Sequence, residues 1–393
     1  MPDPRDALIT GIGLLSCLGE GAAAHWQELN QTGFTPSLDT ETFAPYVVHP
    51  VVKVELDKQI PKRGDQRTME PWQRIGTYAA GMALESAGIK GNTELLDRTD
   101  MIVAAGGGER DYAVDAAILT DLPKSADPGV LLNERLMSDL RPTLFLAQLS
   151  NLLAGNISVV HGVVGASRTF MGEEASGVDA VRIACARIAD GSSDLVLVGG
   201  SYNAERPDVL LHYEMGRLLW KQPYAGVQQR LAAGGGMLLG SVGCFLVIES
   251  RVHAEKRGAT PVARIAGVQS DRCNRAPGAA TANAQRQLAA LGLDPAGAAV
   301  ISGASGAPAP MAEEQAFLAG LGLPVRSPAN ALGHSLEPSF PANLAIAAMA
   351  VSHGTLFPPL EAAEARLDTP LRQALVTAWG HWRGEGMALL VPA

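Results

Sequence analysis

The sequence predicts an α/β protein built from two βαβαβαββ halves, with stacked mixed sheets and one buried helix from each half between them. Three observations carry this. Short apolar runs recur in the same order along the two parts of the chain. Each part holds one helix that is apolar almost all round, Val178 to Ala189 and Pro341 to Val351, a pattern that belongs to an enclosed helix. With 47% hydrophobic and 18% charged residues, the 393-residue chain also has the material for a large core.

The first half, residues 1–258, opens with a buried strand at Ala7–Ile12 and a glycine turn, Gly11-Ile12-Gly13-Leu14-Leu15-Ser16, leading to a helix near Ala22–Leu29. Trp72–Ala87 has helical periodicity and stops at Gly88, as helices commonly do. Asp100–Ala105 reads as a strand ending in Gly106-Gly107-Gly108. Leu131–Ala154 reads as mostly helical with a break at Pro142, and Ile157–Val160 as a strand. The central turn and buried helix, 168–189, follow. Asp194–Val198 and Cys244–Glu249 are further strands, separated by an irregular, lid-like insert at 203–236 that covers the core or meets a partner. The second half, residues 259–393, repeats the series. Ala263–Val268 corresponds to the opening strand, Ala298–Gly303 to the strand at 100, Ala374–Ala378 to the strand at 194, and Met387–Val391 to the closing strand.

A net charge of −9 without basic clusters disfavours nucleic acid and anionic membrane surfaces as main partners, although an acidic carrier could dock on a local basic patch. Cys17, Cys185, Cys244 and Cys273 are too scattered for a disulfide framework or a metal site. There is no signal-peptide layout and no apolar run of membrane-spanning length, so no membrane insertion is expected and the expected location is the cytoplasm. The strand, glycine turn and helix at the start also admit a remote alternative, an NAD(P)-binding oxidoreductase. Ser16 stands where the third glycine would be, and residues 34–39 look like loop.

The stretch Arg168 to Gly177 organises the chain. It leads into the buried helix, whose N-terminal N–H groups at Glu173, Glu174 and Ala175 suit an anion or a reactive side chain. Further marks are Thr10-Gly11-Ile12-Gly13 with Leu18-Gly19, Ile157-Ser158 to Gly165, Asp194 to Gly200, Gly243 to Glu249, Gly333-His334 and Trp379-Gly380. In this order and spacing the chain resembles the β-ketoacyl-ACP synthases, the condensing enzymes of the thiolase fold.

The resemblance implies a thiolase-like fold and a cysteine nucleophile at the start of the buried helix, activated by the helix dipole and flanking N–H groups. Matching Ala175-Ser176-Gly177 to the family motif puts Glu174 at the cysteine position. The family's first histidine falls on Gly303 and its lysine on Ala329, whereas the second histidine is kept as His334. The loop with the family's gating phenylalanine reads Gly380-His381-Trp382, so His381 and Trp382, with Phe170 and Met171, are the expected pocket and gate residues. The family's substrates are acyl groups on the phosphopantetheine of an acyl carrier protein, with no cofactor or metal bound by the chain itself.

A carboxylate cannot form the thioester. The combination resembles ketosynthase-like partner subunits, or chain-length factors, which form heterodimers with an active ketosynthase in fatty-acid or polyketide synthesis, very-long-chain fatty acid or aryl polyene pathways among them. By the same analogy residues 156–171 form the dimer interface, a homodimer being possible. The alternative keeps an enzyme, with Glu174 and His334 decarboxylating malonyl-ACP or transferring an unusual acyl group. Without chemistry, Glu174 or Glu173 is a helix-capping carboxylate, and His334 a core histidine bonded to backbone.

Overall fold

The computed structural model of the protein describes residues 2–393. The first half contributes five main strands: β1 (Ala7–Ser16), β2 (Asp100–Ala104), β3 (Ser167–Phe170), β4 (Leu195–Tyr202) and β5 (Val242–Ser250). They lie in the order β3-β2-β4-β5-β1. The second half contributes β6 (Ala263–Asp271), β7 (Ala298–Ile301), β8 (Val325–Arg326), β9 (Gln373–Trp379) and β10 (Glu385–Val391), in the order β8-β7-β9-β10-β6. The two orders are the same when equivalent strands are matched. In each half the closing strand runs antiparallel to its neighbours, and the strands beyond it are parallel.

The strands of the two halves join into one continuous sheet, where Ala7, Leu8 and Ile9 of β1 pair antiparallel with Ile265, Arg264 and Ala263 of β6. From there they diverge to enclose α2 (Glu173–Ala189) and α3 (Ser339–His353), while α1 (Pro71–Ser86) packs on the outer face of the first half's strands. Period-two alternation assigns the strand residues. Ile102, Ala104, Val196, Val198, Ala374 and Val376 join α2 and α3 in the central core, whereas Met101, Val103, Leu195 and Leu197 face the outer layer with α1. Both faces are covered, which is why these strands read as unbroken apolar runs.

Several local expectations change. The run Gly11 to Ser16 is not a turn but the middle and end of β1. An added Cβ would lie 2.4 Å from the Ala83 carbonyl oxygen at Gly11, and 1.9 Å from that of Ala79 at Gly13. These glycines admit the backbone of α1, leaving no room for a pyrophosphate, and the NAD(P) reading falls with them. Ile157–Val160 is not a strand, because it belongs to the helix Leu152–His161. Leu153, Ala154, Ile157 and His161 are its buried residues, a helical spacing, while Val159 is exposed. The stretch Leu131–Ala154 is divided among the helices Pro128–Ser138, Leu144–Ala147 and Leu152–His161, and the helix expected from Val178 starts at Glu173. The insert at 203–236 carries two helices, Pro207–Met215 and Val227–Ala232. Its Leu210, Tyr213 and Leu219 bury themselves in a satellite cluster with Tyr202 and Leu336.

The contact between β1 and α1 gives a direct prediction. Gly13→Ala forces a methyl group into a backbone oxygen and lowers unfolding stability by about 1–3 kcal/mol. Urea denaturation followed by circular dichroism checks this. An unchanged midpoint would mean that the two elements do not approach as described.

Candidate functional site

Glu174 sits in the first turn of α2, 2% exposed. The chain reaches this point through Gly172 at φ 135° and Glu173 at φ 58°, a left-handed step that glycine makes freely and glutamate does not. His334 Nε2 lies 2.7 Å from Glu174 Oε1. His381 presents Nδ1 to both carboxylate oxygens, at 3.0 and 3.1 Å, and its backbone N–H donates to Oε1 at 3.3 Å. Its other ring nitrogen, Nε2, is 3.6 Å from Glu173 Oε1. One imidazole therefore stands between two adjacent glutamates.

Each partner is fixed from outside. The His334 N–H donates to the Leu238 carbonyl and its own carbonyl accepts from Gly240, pinning the loop between strands. Gly333 makes that approach possible, since a Cβ there would lie 2.7 Å from the Gly240 nitrogen. The 380–385 loop is braced by Arg275, which donates to the Gly380 carbonyl at 2.6 Å and pairs with Glu385 at 2.8 Å. The Tyr213 ring stands edge-on to His381, with centroids 5.5 Å apart.

Burial, the largest influence on Glu174, raises its pKa, but hydrogen bonds and charge from His334 and His381 outweigh it and hold the carboxyl far below its ordinary range. For His381, burial lowers the pKa, and the Glu174 hydrogen bond with the charges of Glu174, Glu173 and Glu337 raises it overall. Glu173 is pushed up, first by burial. Glu337, fully buried, is pushed up to about 7 by burial, with Glu174 and Glu173 adding to the shift.

The possible metal ligands Glu173, Glu174 and His381 offer atoms within 4.8 Å of one another. The group is already closed by its own hydrogen bonds, and the N-terminal end of α2 carries the wrong sign for a cation. The residue set does not favour a metal.

Gly303, Ala329 and His334 do come together, around a void of about 10 Å³. A Cβ at Gly303 would lie 2.5 Å from the Thr377 carbonyl oxygen, so β9 packs directly against this position. The expected gate is only partly assembled. His381 is inside, but Trp382 is 70% exposed and does not close the pocket, because the loop turns its side chain to solvent. Met171 is also exposed, and Phe170 packs half-buried against the central core. His161 is structural, Nε2 bonding the Thr77 carbonyl.

Three contributors escaped the sequence reading. Arg275 acts at long range on the 380–385 loop. Tyr202 and Glu337 wall a cavity of about 440 Å³ that also reaches Glu173 and the three glycines at 106–108. The one local signal for Glu337 is an acidic residue inside an otherwise uncharged buried segment, Ser327 to Val351.

Comparison with known proteins agrees with this architecture. The chain is 24% identical over 272 residues to 3-oxoacyl-[acyl-carrier-protein] synthase 2 of Vibrio cholerae, covering 67% of this chain and 62% of that enzyme, less than two thirds of its length. It is 27% identical over 420 residues to the actinorhodin polyketide β-ketoacyl synthase 2 of Streptomyces coelicolor, covering 98% of each. Among solved structures, the ishigamide ketosynthase/chain length factor superposes with a TM-score of 0.78 at 20% identity over 99% of both chains, and shows the same thiolase-like fold. Residues 5–253, well over half the chain, match the family model for the N-terminal domain of β-ketoacyl synthases, and the chain belongs to that family.

Proposed function

We propose that this chain is a non-condensing partner, of the chain-length-factor type, to an active β-ketoacyl-ACP synthase in fatty-acid or polyketide synthesis. The observation that carries the reading is Glu174: the nucleophile position holds a carboxylate locked between two imidazoles. No thiol replaces it. Cys185, on the same helix, is pushed up to about 12 by burial, which removes the thiolate needed for attack. Decarboxylation of malonyl-ACP through Glu174 and His334 would require this carboxylate to release a hydrogen bond at every turnover.

A heterodimer along residues 156–171 is supported by the free edge of β3, which pairs only with β2. Exposed apolar side chains flank that edge, Val159, Val164 and Met171 among them, as at an unpartnered interface. A homodimer would use the same edge. Acyl groups would arrive on the phosphopantetheine of an acyl carrier protein, as the family's chemistry implies. Among the described residues no helix is long and apolar enough to cross a membrane, and the proposed setting is the cytoplasm.

Co-expression with the ketosynthase encoded nearest to it should give a complex that survives purification and condenses malonyl-ACP, while the chain alone makes no β-ketoacyl product. Condensation by the purified chain alone would overturn the proposal. Glu174→Gln should leave malonyl-ACP turnover by the chain alone at background, as in the unaltered protein. A measurable decarboxylase rate that this substitution abolishes would favour the enzyme reading.

If Glu174 is architectural, stability carries its signature. Its folded pKa lies below the ordinary 4.5, so its contribution is present above that value and is lost as pH falls through the depressed one. That of His381 lies above 6.5, so its contribution is complete below 6.5 and is lost as pH rises through the raised value. The pair therefore stabilises most between pH 4.5 and 6.5. His381→Gln should cost about 3 kcal/mol there and progressively less above neutrality. Thermal melting of both proteins across the pH range reads the difference, and a constant gap on the alkaline side would contradict this account.

A further inference from the structure

A separate cavity of about 230 Å³ lies in the second half of the chain. Ser302, just after β7, and Ser327, just after β8, place it at the carboxyl ends of two parallel strands, with the helix Pro308–Ala319 along one side. It shares no lining residue with the Glu174 cluster or with the cavity beside Glu173. Glu314, on that helix, is 1% exposed and forms part of the wall. The Ser302 hydroxyl donates to Glu314 Oε1 at 3.1 Å, and the Thr377 hydroxyl donates to the same atom at 2.5 Å. Both bonds fall on Oε1, which leaves Oε2 as the oxygen turned to the cavity.

Burial pushes the Glu314 carboxyl up to about 7, because two neutral hydroxyls do not replace the hydration that a carboxylate loses. The second acid in the wall, Glu364, is better provided. Its oxygens accept the Ser327 and Leu360 N–H groups, and Arg326 Nε stands 3.8 Å away. Among the described residues no lysine, arginine or histidine lines the cavity. The wall thus presents one unmatched acid and calls for a positively charged donor. Much of the remainder is aliphatic, with Met311, Leu318, Leu323 and Val325. A hard metal ion needs several oxygen ligands, which one free carboxylate oxygen does not supply. An ammonium group on a short alkyl chain matches both parts of the wall.

We propose that this cavity binds a small primary alkylamine in its ammonium form, the charged group donating to Glu314 Oε2 and the alkyl chain packing on Met311, Leu318, Leu323 and Val325. The site stands apart from the partner function proposed above and does not depend on it. The ammonium supplies the counter-charge that the fold withholds from Glu314, so binding and loss of the Glu314 proton go together. Glu364 is the one other titratable side chain in the wall, and Ser302 and Thr377 are the groups bonded to Glu314.

The test titrates hexylammonium into the full chain by calorimetry, with hexanol and hexanoate as ligands of the same chain length. Hexylammonium should bind at least about tenfold more tightly than hexanol, the discrimination that a buried charge-assisted hydrogen bond supplies, and hexanoate should not bind. Its affinity should fall about tenfold between about pH 8 and about pH 6, as Glu314 takes up its proton, while that of hexanol stays constant. Glu314→Gln, which keeps an acceptor for Ser302 and Thr377, should erase both the ammonium preference and its pH dependence and leave hexanol binding unchanged. Melting temperatures show whether the variant is folded. For a variant that does not fold, the pH series on the unaltered chain decides, and a flat profile overturns the proposal. Equal affinity for hexylammonium and hexanol would mean that Glu314 takes no cation, and the proposal would fail. It would fail equally if hexylammonium did not bind, or if the folded variant kept the full preference.

Discussion

The carboxylate of Glu174 ties together three segments that are far apart in sequence: the start of α2, the Gly333-His334 loop and the loop at 380–385. A fully buried carboxylate is costly unless paired and hydrogen-bonded, and here both imidazoles do this at the positive end of a helix. The surrounding chain is shaped to let these segments meet. A Cβ at Gly177 would strike the Glu337 carbonyl oxygen at 2.4 Å, one at Gly384 the Ala175 methyl at 2.7 Å, and one at Gly386 the Val178 side chain at 2.4 Å. The two halves thus close on α2 through glycine contacts, with the ion-paired cluster at their centre.

On the proposed reading, this placement accounts for the family's chemistry departing as a group. A thiolate at a helix N-terminus is stabilised by the dipole yet remains a strong nucleophile with an exposed lone pair. A carboxylate in the same position gains from the dipole too, but it draws nearby imidazoles onto itself. Once His381 has turned inward to Glu174, a second imidazole near position 303 has nothing to polarise. About 10 Å³ is open between Gly303, Ala329 and His334. The retained His334 is consumed by the same pairing. On the proposed reading, its presence in the sequence is therefore no sign of retained condensation chemistry.

What could be read from the sequence follows the range of the interactions involved. Strands buried on both faces announce themselves as apolar runs, so the duplicated series was legible even without residue identity between the halves. The Gly11 to Ser16 segment was misread because its glycines answer to a helix some 70 residues away, not to a turn. Ile157–Val160 was misread because a short β-branched run does not fix its own period, and only the burial of Leu153 and His161 reveals a helix. Glu174 was legible as an acidic residue at the start of the buried helix, and the structure buries its carboxylate against His334 and His381. The inward turn of His381 and the outward turn of Trp382 depend on Arg275 holding the loop, and nothing adjacent in sequence encodes it.

Glu337 presents the same difficulty in sharper form, since its environment is made by Gly106, Tyr202 and the two glutamates of α2, all from the other half. Three carboxylates lie in this region, and their partners divide them. Glu174 is saturated by two imidazoles, and Glu173 reaches the remaining nitrogen of His381 only at 3.6 Å. Glu337 has an oxygen with no partner at all. Each negative charge added to so small a region raises the cost of the next, so the last carboxyl in the series is the one most readily left protonated. The Glu174 carboxylate at the helix start adds to the upward shift of the neighbouring Glu337 carboxyl.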